Sequence, residues 1–188
     1  MMRYLGLTAT LLVFAFSVGT YNSPNAAAEA TAVEIDRDVK NALEELYADS
    51  ASAKTLGEKA KGILVFPSIV KGGFLVGGQY GEGALLKGGE TSGYYKTIQI
   101  SYGLQAGIQK YGYVLFFMTD SAMNWLDKSE GWEIGAGPSI VVVDKGMAGS
   151  MSTTTAKEDI YAFFFGQKGL MAGLGLQGTK ITRITPNQ

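Results

Sequence analysis

The density of glycine constrains the fold of this chain more than any other feature, since 26 of its 188 residues are glycine. That share is about twice the ordinary usage of glycine in proteins. Many of these glycines lie inside stretches that otherwise alternate as β-strands do. Because glycine weakens a strand, its presence there indicates sharp sheet curvature, tight turns or close approach of two backbones. The pattern favours a strongly curved sheet.

The clearest alternating run extends from Tyr94 to Gln109. Its large apolar residues share one parity and its small polar residues share the other, which is the period of a strand. The run is longer than an ordinary strand, so we expect it to bend at Gly103 or to wrap around a barrel. Further strands are predicted at residues 63–66, 74–80, 114–118, 139–143, 160–165, 170–176 and 180–184, with turns at 88–89, 110–112, 145–146 and 167–169.

Two helices are predicted before the strands begin. Apolar residues recur at helical spacing across residues 32–47, and Thr31 precedes Glu34 by the spacing of a capping box. A weaker helix is predicted over residues 51–61, and a short inserted helix after Thr119, which can cap it. The predicted fold class is therefore α+β: a strongly curved antiparallel β-sheet or barrel-like domain with N-terminal helices and one short inserted helix.

The segment 1–28 has the organisation of a cleavable secretory signal peptide. A short region with the positive charge of Arg3 precedes 14 mostly apolar residues, 5–18, and small residues at 26–28 supply a cleavage site. A membrane-spanning helix needs about 20 apolar residues, which is more than this run contains. We therefore expect cleavage near Ala28, a single domain over residues 29–188, and a periplasmic or secreted location.

The absence of cysteine and histidine excludes several kinds of chemistry. Without them a chain has no thiol nucleophile, no Ser-His-Asp triad and no zinc site of the Cys/His kind. The formal net charge is −1, so the chain has no overall excess of positive charge such as a nucleic-acid-binding domain shows. We expect a protein that is not an enzyme and that has no cofactor, no metal site and no nucleic-acid partner. A hydrolase that uses carboxylates is the least favoured alternative.

One stretch combines lysines with large apolar side chains. An anionic lipid surface attracts nearby lysines, each contributing about 1 kcal/mol, and inserted apolar side chains add to the affinity. The structural alternative is a lysine-decorated helix end that lies next to a buried strand. The predicted lipid-binding residues are Lys54, Lys59, Lys61, Phe66, Ile69, Val70, Lys71 and Phe74.

Several short blocks occur in a fixed order along the chain. They are AKGILVFP at 60–67, KGGFLVGGQYGEG at 71–83, GLQAG at 103–107, FFMTD at 116–120, GWEIG at 131–135, GQKGLMAG at 166–173 and GTKI at 178–181. Taken together, the blocks resemble the SYLF domain family, and the likeness covers residues 33–185.

The resemblance implies a lipid-binding module, because eukaryotic members bind phosphoinositides and some bind filamentous actin, while bacterial members carry secretory signals. Family lipid binding is attributed partly to a basic N-terminal helix, but residues 33–47 contain only Arg37 and Lys40 against five carboxylates. We therefore expect a bacterial cell-envelope protein that binds anionic phospholipid, or a phosphoinositide-like headgroup, through residues 54–74. The alternative is a structural or protein-interaction module of the envelope without a lipid ligand. The oligomeric state stays open.

Overall fold

The computed structural model describes residues 30–73, 76–102, 107–129, 131–143, 157–168, 176 and 178–187. The signal-peptide prediction falls outside these ranges and stays a prediction. Helices and strands are both present, which confirms the α+β class. Within the described residues the elements are α1 (Ala32–Asp49), α2 (Ala51–Gly57), β1 (Gly62–Gly73), β2 (Val76–Lys87), β3 (Glu90–Tyr102), β4 (Gly107–Phe117), α3 (Asp120–Lys128), β5 (Trp132–Glu133), β6 (Ile140–Val143), β7 (Ile160–Lys168) and β8 (Lys180–Ile184).

The described strands form one sheet in the order β5-β8-β3-β2-β1-β4-β7-β6. Strands β1, β2 and β3 pair in sequence, and β4 returns to lie beside β1, which is the Greek-key arrangement. The pairings between described strands are antiparallel except that of β6 with β7, which is parallel. The long strands β1 to β4 therefore occupy the middle of the sheet.

The sheet curls strongly into a half-barrel. Tyr113 of β4 donates a hydrogen bond of 2.7 Å to Thr97 of β3, although two strands lie between them in the sheet. In a flat sheet their backbones would be about 14 Å apart. Gly83 of β2 permits close approach to β1, since an added Cβ would overlap the carbonyl oxygen of Val65. The curvature predicted from the glycine content is confirmed.

Apolar side chains cover both faces of this sheet. The concave face packs against α3, and the opposite face, which we call the outer face, packs against α1 and α2. Central strands therefore have buried residues of both parities, so they do not alternate between apolar and polar. The largest fully buried side chains include Tyr113, Phe66, Phe116, Phe117, Leu64, Ile69 and Leu115.

Helices α1 and α3 begin where their capping residues predict. The Thr31 side chain accepts a hydrogen bond from the backbone N–H of Glu34, whose carboxylate in turn accepts from the Thr31 N–H, which completes a capping box. Thr119 caps α3 by accepting from the N–H of Ala122. The three predicted helices are confirmed, although α2 is shorter than expected and ends at Gly57. No helix among the described residues is long and apolar enough to cross a bilayer.

Three expectations about the strands are wrong. The run from Tyr94 to Gln109 is not one bent strand, because β3 and β4 divide it. The turn predicted at 110–112 lies inside β4. The first strand does not stop at Pro67, because β1 continues through a bulge where the missing proline N–H is tolerated. Most of the strand predicted at 170–176 lies outside the described residues.

Candidate functional site

The structure separates the lysines of the predicted lipid-binding stretch. Lys54 lies in α2, and Lys59 lies in the turn that follows it. Lys61 immediately precedes β1 and pairs with Asp120 at 3.6 Å, whereas Lys71 lies near the other end of β1. Ten strand residues span on the order of 30 Å, so these four lysines do not form one compact basic patch.

The apolar residues of the same stretch also lie in different environments. Phe66 and Ile69 are fully buried in the concave-face core. Their burial corrects the expectation that these two side chains insert into a lipid surface. The physical reason is that β1 is a central strand, covered on this face by α3 and neighbouring strands. Val70 has the opposite parity and is 50% exposed on the outer face. Phe74 lies outside the described residues.

A different set of apolar side chains is exposed on the outer face. Val70, Tyr80 and Ile98 lie directly opposite one another on β1, β2 and β3. In the next row, two glycines separate Ile100 of β3 from Ile108 of β4. Their exposure ranges from 38% at Ile98 to 82% at Ile108. We call this set the outer-face stripe: Val70, Tyr80, Ile98, Ile100 and Ile108.

The outer-face stripe is exposed because α1 and α2 cover only part of the outer face. They pack over the region of Val65, Ala84 and Val114, and the stripe lies further along the same strands. No described helix lies over it. Monomeric proteins expose single apolar side chains everywhere, whereas a contiguous group of five indicates an interaction surface.

Lysines border the outer-face stripe on two sides. Lys180 of β8 is paired with Ile98, and Lys110 of β4 is paired with Val70. Both lysines are exposed, and neither makes a salt bridge within the described part of the chain. Their ammonium groups can therefore reach the anionic groups of a surface whose apolar region contacts the stripe.

Two carboxylates lie near the stripe, and each has a hydrogen-bond donor or a lysine beside it. Glu82 accepts a hydrogen bond from the backbone N–H of Ala30 at 3.0 Å and another from the Tyr80 hydroxyl. Lys96 lies opposite Glu82 on β3, and Glu133 at the sheet edge lies opposite Lys180. The three lysines exceed these two carboxylates, so the stripe has a local positive excess although the chain as a whole does not.

The outer-face stripe was not predicted from the sequence, although three of its residues belong to the alternating run. The alternation predicts one apolar face and one small polar face, but it does not predict which face is covered by other elements. In the structure Thr97 is buried in the concave interior, whereas Ile98 and Ile100 are exposed. The pairing of these residues with lysines depends on cross-strand register, which no local spacing reveals.

The concave face has a polar row at the same end of the sheet. Gln79 is paired with both Gln99 and Lys71, and Lys71 is paired in turn with Gln109. Gln79 is buried, while the other three side chains are partly exposed. We call this set the concave polar row: Gln99, Gln79, Lys71 and Gln109.

Hydrogen bonds across the half-barrel fix the buried glutamine. The Tyr111 hydroxyl donates to Gln79 Oε1 at 2.5 Å, and Gln79 Nε2 donates to Thr179 Oγ1 at 3.4 Å. Burial raises the pKa of Tyr111 to about 12 and raises the pKa of Tyr113 still further. Both phenols therefore stay protonated and keep donating well above neutral pH.

The described residues show no cluster of metal-ligating side chains. The prediction that the protein is not an enzyme stays a prediction. The geometry instead presents two candidate binding surfaces, the outer-face stripe and the concave polar row.

Comparison with known proteins finds a family model that matches part of the chain. Residues 98–186 match the family model described as Ysc84: Las17-binding protein actin regulator. No curated protein matches the chain. The matched segment begins within β3 and includes β4, α3 and the last four strands. Residues 98–186 therefore match the Ysc84 (SYLF) domain family, the same family that the sequence blocks resemble.

Proposed function

We propose that this protein is a non-catalytic lipid-binding protein whose outer-face stripe docks on membranes that contain anionic phospholipid. The observation that carries this proposal is the exposure of five apolar side chains on neighbouring strands, bordered by Lys110 and Lys180. The proposed periplasmic or secreted location rests on the predicted signal peptide at residues 1–28.

The expected energies suit reversible docking. Each lysine near an anionic leaflet contributes about 1 kcal/mol, and each apolar side chain contributes about 1.5–3 kcal/mol when fully removed from water. Charges more than about 8 Å from a membrane surface are screened at physiological ionic strength, so the groups beside the stripe dominate. An excess of positive charge beside the stripe can therefore outweigh the slightly negative net charge of the chain.

A protein partner is the second candidate, since the family is described as a Las17-binding protein actin regulator. An exposed apolar surface also suits a protein interface, and in the cell envelope such a partner would replace the lipid. Lipid is favoured here because lysines border the stripe on two sides, which matches an extended anionic surface.

Reversing the lysine charges beside the stripe should weaken membrane binding. The variant with Lys110→Glu and Lys180→Glu is expected to bind phosphatidylglycerol-containing vesicles at least tenfold less tightly, since two attractive contacts of about 1 kcal/mol each become repulsive. Vesicle sedimentation measures this, with phosphatidylcholine vesicles as the neutral comparison.

The matched control is the variant with Lys59→Glu and Lys61→Glu, which makes the same change in net charge away from the stripe. Its binding should stay within about threefold of the unsubstituted protein. Loss of binding only in this control would return the site to the basic stretch at 54–74. Failure of the unsubstituted protein to sediment with any vesicle would favour the protein partner.

A further inference from the structure

We propose that the concave polar row binds the phosphate group of one anionic lipid molecule, with Lys71 as its cationic contact. This inference rests on the proposed function and gives it a second, headgroup-specific site on the opposite face of the sheet. The four side chains lie side by side across β3, β2, β1 and β4, as the register requires.

The environment of Lys71 is the first reason. It lies on the concave side of a central strand and is partly buried. No carboxylate lies within salt-bridge distance of its ammonium group in the described ranges. A partly desolvated cation gains from an anionic partner more than a fully hydrated cation does.

The composition of the surrounding concave face is the second reason. Its described positions nearest to Lys71 on β1 to β4 contain no acidic residue that would repel an anion. Amide side chains supply N–H donors suited to phosphate oxygens. In the register, the row is bordered by Ile69, Gly81, Thr97 and Tyr111 on one side and by Gly73, Gly77, Ser101 and Gly107 on the other.

The fixed position of Gln79 and the small residues at the sheet end are the third reason. Tyr111 and Thr179 hold the Gln79 amide, so one member of the row is already ordered before a ligand arrives. Beyond the row, Gly73 is paired with both Gly77 and Gly107, and glycine has no side chain that could obstruct a headgroup. The apolar side chains below the row are buried against one another, so the site suits a headgroup rather than a whole acyl chain.

Monomeric dihexanoyl phosphatidylglycerol, below its critical micelle concentration, is the direct probe of this site. Isothermal titration calorimetry should show binding to the purified protein and at least tenfold weaker binding to Lys71→Met. The variant Lys71→Arg, which keeps the charge, should recover most of the affinity. Lys110→Met is the matched control, because it removes a lysine from the outer face, and its affinity should stay within about threefold.

Two further measurements distinguish lipid phosphate from free phosphate, and the concave polar row from the outer-face stripe. Inorganic phosphate should bind more weakly than the lipid monomer, and equal affinity would assign the row to a free phosphate and overturn the proposal. Lys71→Met should still sediment with phosphatidylglycerol-containing vesicles, whereas the variant with Lys110→Glu and Lys180→Glu should still bind the monomer. Absence of monomer binding, or unchanged binding by a folded Lys71→Met variant, overturns the headgroup site and leaves vesicle docking to be judged separately.

Discussion

Replacing Phe66 by alanine is expected to lower the free energy of unfolding by about 4 kcal/mol. The Phe66 side chain is fully buried on a central strand, and its ring packs against that of Tyr113 with centroids 4.9 Å apart. Truncation removes the apolar transfer energy and leaves a cavity that β1 and β4 cannot close. Urea unfolding followed by circular dichroism measures the loss.

Ile108→Ala is the matched comparison, since it also truncates a large apolar side chain but at a position that is 82% exposed. Its free energy of unfolding should change by no more than about 0.5 kcal/mol. The two substitutions should also differ in vesicle binding: Ile108→Ala should weaken it, whereas Phe66→Ala should leave the binding of the folded protein unchanged. If Phe66→Ala lowers the free energy of unfolding by less than about 1 kcal/mol, the result would contradict the burial of this ring in the core.

Adding a single methyl group at Gly83 is expected to destabilise the fold by about 3 kcal/mol. An added Cβ at this position would overlap the Val65 carbonyl oxygen and press on the Phe66 ring. The overlapping atom belongs to the backbone of β1 beside its bulge, so no side-chain rotation can relieve the contact. Chemical denaturation of Gly83→Ala tests this.

Gly78→Ala provides a control in the same strand. The nearest atom to its added Cβ would be the Gln99 carbonyl oxygen at 3.7 Å, which is an ordinary contact distance. The free energy of unfolding should therefore change by less than about 0.5 kcal/mol. Equal costs at the two positions would show that glycine is needed throughout β2 for backbone flexibility, and not for close approach to β1.

Local signals in the sequence predicted much of the architecture. The capping box at Thr31 and the helical spacing after it located α1, and the run from Lys180 to Ile184 is strand β8 as expected. Such features depend on residues that are neighbours in the chain. The boundary between β3 and β4 was missed because the alternation continues with the same period into both strands.

The candidate site could not be predicted in the same way. Whether Phe66 or Val70 is exposed depends on which face of β1 is covered and how far α1 and α2 reach, and both are tertiary properties. The distance between Lys61 and Lys71 follows from their lying near opposite ends of one strand. The pairing of Lys180 with Ile98 joins residues far apart in the chain, so only the folded register reveals it.

The absence of cysteine permits a direct measurement of docking. An environment-sensitive fluorophore attached to a single cysteine at Ile108 should shift to shorter wavelengths with phosphatidylglycerol-containing vesicles, and lipids carrying a quencher in their acyl chains should quench it. The same fluorophore at Asn124, which is exposed on α3 at the concave face, should show neither effect. A fluorophore at Ile108 that stays in water while the protein is bound to vesicles would contradict docking through the outer-face stripe.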